Sequence, residues 1–480
     1  MNIKMVFSIL GRTLLIEAAL LLCPMLVGIL YGEQSYADYL IPIAGLVAIG
    51  LPLALLKVRD RSMYVKEGFV TVALVWILLS LAGAVPFVLS GAIPNYADAL
   101  FETISGFTTT GATIVNDVEA LSKSLLFWRA FTHWIGGMGV LVFVLAILPG
   151  YNSGIMHVFR AESPGPSAGK LVSKLTTTAR ILYGIYIVLT VVETCLLLAG
   201  GMGLFDSVTH AFSTAGTGGF GIKNTSLAYY GSVYFEMVIA VFMFLFGINF
   251  NLFYLLLIGN FKKAIKSEEF IVYIVIVVGA TLAIAINLLS LAMNFGEAVR
   301  YAFFQVTSIS STTGFSSADF NEWPAFSKGI LIVLMCIGAC GGSTGGGMKV
   351  SRVIILIKSA TGSVKRMLHP RSVVTTKFEG GPLNRETERN VQTYFILWVA
   401  ILVVCTVLLC IDVNDFLTNF TATLACIGNV GPGFNLVGPL NNYALYSPYS
   451  KIMLSFVMLV GRLEIFPMLI MLAPRTWKRG

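Results

Sequence analysis

Four glycine-centred segments recur along the chain: Thr109-Thr110-Gly111, Thr217-Gly218-Gly219, Thr312-Thr313-Gly314 and Asn429-Val430-Gly431. Each lies between two long apolar stretches. What such segments supply is oxygen. Four of them meeting on one axis would make a ring of backbone carbonyls able to replace the water shell of a bare monovalent cation. The threonine hydroxyls can add oxygens or brace the loops. A backbone that turns successive carbonyls inward needs φ values that glycine reaches cheaply, and Gly111, Gly314 and Gly431 stand where that is required. In the second segment Gly216 matches by its distance from Phe212, whereas Gly219-Phe220 matches Gly314-Phe315. The Gly-Phe pair is the more specific landmark and favours Gly219.

Two further features point to control of a path. Gly341, Gly342, Ser343, Thr344, Gly345, Gly346 and Gly347 interrupt an apolar run. Five glycines in seven residues do not make a stable helix, since each costs about 1 kcal/mol relative to alanine. The Gly-Lys-Ser/Thr ending of a phosphate loop is absent, because Met348 separates Gly347 from Lys349. The run reads as an intramembrane loop able to obstruct a path and to move; a small-residue face for close helix packing is the alternative. Arg462 lies inside the last apolar stretch, where a cation costs roughly 2.5–3.5 kcal/mol on insertion scales. It either projects toward the glycine run as an electrostatic barrier, or pairs with Glu464 or caps carbonyls at a helix end.

Elements able to position these residues follow from composition. Of 480 residues, 56% are hydrophobic and only 12% charged, well below the charged fraction of soluble chains. Apolar runs near 13–31, 39–56, 69–92, 125–149, 181–203, 232–259, 270–293, 329–357, 391–411 and 451–473 predict about ten spans of a hydrocarbon layer roughly 30 Å thick. The fold class is all-α and polytopic. An N-terminal hairpin (1–60) precedes four pseudo-symmetric units near 66–150, 175–262, 268–360 and 390–474, each a helix, a short helix, a loop and a helix. The short helices begin near Asp98, Asp206, Glu297 and Asp415, carboxylates suited to a positive helix N-terminus. Their partially negative C-terminal ends would point to the membrane centre.

Lysine and arginine orient the chain. With both termini cytoplasmic, one side collects Lys57, Arg59, Arg61, Lys66, Arg160, Lys170, Lys174, Arg180, Lys262, Lys263, Lys266, the basic 358–389 segment, Arg475, Lys478 and Arg479. The net charge of +8 is therefore a topology signal and not a sign of nucleic-acid binding. The 358–389 segment suits an acidic lipid head-group or a cytosolic partner. Glu17, Glu193 and Glu236 are intramembrane carboxylates, read as structural. The seven cysteines fall in apolar segments without zinc spacing, and none of the four histidines shows metal spacing. Neither H-E-x-x-H nor a nucleophile elbow is present, so no enzyme is expected.

The Thr-Thr-Gly loops, the glycine run and Gly461-Arg462-Leu463-Glu464 together resemble the Trk/Ktr/HKT family of potassium transporters, over essentially the whole chain. The N-terminal hairpin and the loop Ala161-Glu162-Ser163-Pro164-Gly165-Pro166 are similar to the bacterial Trk H/G-type membrane subunit. That resemblance implies a homodimer with one pore per subunit in the bacterial inner membrane. It also implies a cytosolic Trk A-type regulatory subunit that binds NAD or ATP, with no organic cofactor on this chain. Glycine at 111, where sodium-passing relatives carry serine, implies potassium as the substrate ion, and the resemblance favours the barrier role for Arg462. The function it implies is potassium uptake through a gated, channel-like pore; symport coupled to protons or sodium is the alternative. Asn429-Val430-Gly431-Pro432-Gly433 departs from the threonine-rich pattern, so looser selectivity than in a potassium channel is expected.

Overall fold

The computed structural model describes residues 2–34, 36–58, 64–139, 175–372, 375–413 and 415–477. The loop 161–166, residues 140–150 of the first unit, Arg59, Arg61, His157, Arg160, Lys170, Lys174, Lys478 and Arg479 lie outside them. Within the described residues the chain is an all-α, polytopic membrane protein with one two-stranded hairpin (Lys377–Phe378 and Gly381–Pro382).

Each unit opens on a long leading helix: Val65–Gly83, Leu175–Ala199, Glu268–Leu288 and Arg385–Leu409. Polar residues start two of them: the Ser267 side chain accepts from the Phe270 amide and the Asn384 side chain from that of Glu386. Six continuous helices among the described residues are long and apolar enough to cross a membrane: these four leading helices, some with short extensions, and the two of the N-terminal hairpin.

The other four apolar runs behave differently from a simple span. The trailing helices Lys123–Gly137, Val233–Phe246, Ala325–Ile337 and Pro448–Arg462 are 13 to 15 residues long, or about 20 Å at the helical rise. That is short of the hydrocarbon thickness. Each stops at glycine: Gly137, Gly247, Gly338 or Gly461-Arg462. In the second unit the chain turns by 91° into Phe250–Leu257. In the third it leaves the helix at Ile337 and resumes only at Val350. In the fourth it breaks at Glu464 and Ile465, with φ of 57° and 68°, before Phe466–Leu472. Apolarity alone marks these runs as spans; the glycines at mid-run end the helices there.

Between leading and trailing helices sit the short helices Tyr96–Phe107, Leu204–Gly216, Phe295–Ser310 and Phe416–Gly428. Asp98, Asp206 and Glu297 occupy first turns, and Asp415 is itself the cap of the fourth, accepting from the Thr418 amide. The last four residues of each are buried.

The N-terminal hairpin (Ile3–Leu20, Leu22–Leu30 and Tyr36–Ala54) leans on the first unit. Glu33 accepts from the amides of Lys123 and Ser124 at 2.5 and 3.2 Å, capping the first trailing helix. The hairpin's two long helices meet at Gly11 and Gly50. A Cβ on Gly11 would stand 2.4 Å from the Ala54 nitrogen and 2.7 Å from the Gly50 oxygen, so only glycine allows this approach. Gly45 on the same hairpin has nothing within 4 Å of its Cβ direction. Gly11→Leu should therefore lower the thermal unfolding midpoint in detergent by several degrees, while Gly45→Leu leaves it in place; equal midpoints would contradict the close approach.

Candidate functional site

The four short helices end in one and the same way. Thr109, Thr217, Thr312 and Asn429 adopt left-handed conformations, with φ of 54°, 56°, 63° and 52°. The amide of the next residue in each case reaches back across the turn. Thr110 donates to the Ser105 carbonyl at 2.9 Å, Gly218 to Ser213 at 2.9 Å, Thr313 to Ser308 at 2.8 Å and Val430 to Ala425 at 2.8 Å. Each left-handed residue also donates three positions back, to Gly106, Thr214, Ile309 or Cys426. This pair of bonds is the Schellman stop, which usually recruits glycine or asparagine at the left-handed position. Threonine there costs about 1–2 kcal/mol, and three of the four stops carry that strain.

Two residues further on, Gly111, Gly219, Gly314 and Gly431 have φ of 78°, 73°, 86° and 99°. Gly219 thus holds the position equivalent to the other three, while Gly216 is the last residue of its helix. The glycines also stand too close to the neighbouring loop for any side chain. A Cβ on Gly111 would lie 1.9 Å from the Gly218 carbonyl oxygen, and one on Gly219 2.1 Å from that of Thr313. On Gly314 it would lie 2.2 Å from the Val430 oxygen, and on Gly431 2.6 Å from that of Thr110. The contacts run from each unit to the next and from the fourth back to the first. The loops therefore close a ring, and all four glycines line a single cavity of about 140 Å³.

The ring is held from behind. Ser213 and Ser308 donate to the carbonyls of Phe220 and Phe315 at 2.9 and 2.6 Å, which is why the Gly-Phe pair recurs in these two loops. In the first loop a buried ion pair takes over. Arg129 Nε meets Glu102 at 2.8 Å, and the same carboxylate accepts from Thr113 Oγ1 and the Ile114 amide at 3.0 Å. The Arg129 guanidinium also lies 4.1 Å from the Phe220 ring centroid. His133 stacks on Phe220 at 4.2 Å and fills the space against Gly218, a packing role. Asn429 ties the fourth loop to the first by donating to Thr110 Oγ1 at 3.0 Å. In the exposed segment after the first loop, the Asn224 amide holds the Asp117 carboxyl below its usual range, and Lys223 does the same for Glu119.

The glycine run forms a closed loop, Gly338 to Lys349, whose neck only glycine permits: a Cβ on Gly338 would sit 2.8 Å from Gly347 Cα, and one on Gly347 2.7 Å from Gly338 Cα. The loop touches three units directly and reaches the first through Arg462. Gly346 donates its amide to Thr312 Oγ1 at 2.6 Å, and its Cα abuts the Gly428 carbonyl so closely that a Cβ would be 2.4 Å away. Thr344 Oγ1 donates to Phe246 at 3.2 Å, and Gly342 accepts from the Phe250 amide at 3.0 Å, so the 91° bend of the second unit makes room for it. Arg462 joins it to the first unit. Its guanidinium donates to the Thr344 carbonyl at 2.8 Å, to the Gly137 carbonyl at 2.6 Å and to that of Gly136. Arg462 therefore caps a helix end and holds the loop at once. Glu464 pairs with Arg352.

Several contributors escaped the sequence reading. Lys349 is buried beside the glycine run and donates to the Gly345 carbonyl; a lysine following a glycine run in an apolar stretch was the available signal. Glu269 accepts from the Gly341 amide at 2.6 Å and the Ser351 amide at 3.1 Å. Tyr443 donates to the Gly431 carbonyl at 2.7 Å. Of the intramembrane carboxylates, Glu236 lies 3.4 Å from Arg300, and Glu17 and Glu193 are buried. All seven cysteines are free, and no cluster of metal-ligating side chains exists among the described residues.

Fold and site define a class: a membrane protein of four tandem helix–loop–helix units whose loops close one ring. A family model described as TrkH, cation transport protein, matches residues 43–479. The Trk system potassium uptake protein TrkH of Vibrio parahaemolyticus is 35% identical over 492 residues and that of Salmonella typhimurium 34% over 488, each match covering 100% of both chains. The crystal structure of the potassium transporter TrkH from Vibrio parahaemolyticus aligns with a TM-score of 0.90 at 33% identity, again covering 100% of both chains. The chain belongs to the TrkH family.

The strained helix stops make a direct prediction. Thr217→Asn places in the second loop the residue that the fourth already uses, and should raise stability by about 0.5–1 kcal/mol, read as a higher unfolding midpoint in detergent. A lower midpoint would show that the threonine is not strained there.

Proposed function

We propose that this protein takes up potassium across the bacterial inner membrane through the ring of loops, with both termini in the cytoplasm. The observation that carries this reading is the closed cycle of glycine-to-carbonyl contacts. A dehydrated cation needs several oxygens on one axis, and backbone that is not helical is tolerated at membrane depth only where it lines a cavity or is buried in protein. The filter comprises Thr109, Thr110 and Gly111, Thr217 to Gly219, Thr312 to Gly314 and Asn429 to Gly431. The short helices add the negative ends of their dipoles. Relatives named as potassium uptake proteins along their whole length support potassium as the substrate.

Gly341–Gly347 and Arg462 form the gate. The loop runs beneath the ring and its carbonyls are held by two cations, Arg462 and Lys349, so opening requires those bonds to break or move together. The partner is a cytosolic nucleotide-binding subunit of the Trk A type, which docks on the basic 358–389 segment of a homodimer and pulls on the helix Val350–Leu368 that leaves the loop.

Purified protein in liposomes should take up rubidium, and potassium should block that uptake far better than lithium. Equal block by lithium, or no uptake even after removal of Gly341–Gly347, would contradict a carbonyl filter. Arg462→Ala should raise uptake several-fold with potassium preference intact; uptake equal to wild type at matched protein density would remove Arg462 from the gate. Deleting residues 370–384 should abolish capture of the nucleotide-binding subunit, and a complex that survives the deletion would move the docking site elsewhere.

A further inference from the structure

The four-fold ring is broken at one carbonyl. Among the described residues, no protein donor reaches the carbonyl oxygens of Gly111, Gly219 or Gly314, whereas that of Gly431 accepts the Tyr443 hydroxyl at 2.7 Å. The phenol is well placed to dictate where that carbonyl points. Tyr443 is 2% exposed, and its ring packs on Phe101 with centroids 5.7 Å apart. Its own amide donates to the Thr113 carbonyl at 2.8 Å, so the residue is fastened to the first loop while it holds the fourth. The glycine-to-carbonyl approach is also widest at this boundary. A Cβ on Gly431 would lie 2.6 Å from the Thr110 oxygen, against 1.9 to 2.2 Å at the other three boundaries.

We propose that Tyr443 sets the ion preference of the ring by holding the Gly431 carbonyl to itself, leaving three unengaged glycine carbonyls at that level instead of four. The inference rests on the reading of the ring as a potassium filter. A carbonyl that accepts a hydrogen bond has a fixed peptide plane and part of its negative potential directed at the proton. Discrimination between potassium and sodium depends on how many carbonyl dipoles surround the ion and how strongly they act. The larger ion gains more from a fourth oxygen than the smaller one, which three oxygens and a water already satisfy. Tyr443 is therefore a positioning residue that lowers selectivity and thereby admits a broader range of alkali cations.

The test is competition of rubidium uptake by potassium and sodium in liposomes, compared among wild type, Tyr443→Phe and Tyr446→Phe. Tyr443→Phe removes one oxygen and keeps the ring packed on Phe101; the potassium-over-sodium preference should rise about threefold, a fraction of what one net hydrogen bond supplies. Tyr446→Phe deletes a neighbouring buried hydroxyl that donates to Asn419 at 3.0 Å and not to the ring, and should leave the preference unchanged. A preference in Tyr443→Phe that stays level or falls, or one that rises equally in Tyr446→Phe, overturns the proposal. Should Tyr443→Phe fail to assemble, 3-fluorotyrosine placed at 443 decides the matter. Its stronger donor should lower the preference, and no change overturns the proposal. No rubidium uptake even after removal of Gly341–Gly347 would defeat the filter reading itself and this inference with it, whereas selective wild-type uptake with an unmoved ratio in the variants removes only the role of Tyr443.

Discussion

A helix that ends in the middle of a membrane must leave no backbone polar group without a partner, and everything else in this fold follows from how that is met four times over. Each short helix stops by the same two backbone bonds around a left-handed residue. The stop satisfies the last carbonyls of the helix and turns the chain back on itself, so that the following residues face their counterparts in the next unit. Glycine two residues later is demanded twice, by its φ and by the neighbouring carbonyl less than 3 Å from where a Cβ would be. The strain of three left-handed threonines persists because the surroundings over-determine it: Ser213 and Ser308 on the phenylalanine carbonyls, and the Glu102–Arg129 pair.

The trailing helices obey the same requirement on the other side of the ring. They stop short at glycine so that their ends can approach the short helices: a Cβ on Gly136 would fall 1.9 Å from the Phe107 oxygen, and one on Gly461 2.2 Å from that of Ile427. Stopping early exposes carbonyls, and in the first unit Arg462 satisfies them while it grips Thr344 of the glycine loop. A half-buried cation that would be costly alone is thus stabilised by the carbonyls of two units. Lys349, Glu269 and the bend after Gly247 complete the seat of the loop. Ring and loop share a wall, since Thr312 belongs to one and accepts a hydrogen bond from the other.

Much of this was legible in the sequence, and the parts that were not have physical reasons. Composition and apolar runs decide the membrane class and the four-unit organisation, because burying or exposing a backbone in lipid leaves few options. The glycine triplets stand out because no other residue tolerates the position. Helix continuity was harder to read, since apolarity marks a stretch as membrane-embedded without saying that Gly136-Gly137, Gly247 or Gly338 will end its helix. The fourth loop looked like the odd one out, yet Asn429 is the residue best suited to the left-handed stop; the unusual choice is the threonine elsewhere. Arg462 presented two readings that exclude each other in one dimension, barrier or cap, and three dimensions allow it to hold the glycine loop and cap a helix together. Tyr443 and Glu269 carried no signal at all, because they act on backbone groups 12 and 72 residues away.

The most direct measurement is anomalous scattering from crystals of the protein grown in rubidium. Carbonyl oxygens of four units acting together on one dehydrated cation require a rubidium peak on the ring axis, within bonding distance of the Thr110, Gly218, Thr313 and Val430 backbone. A ring with no peak, in crystals where rubidium is ordered elsewhere on the protein, would contradict the assignment of these loops as the ion's path.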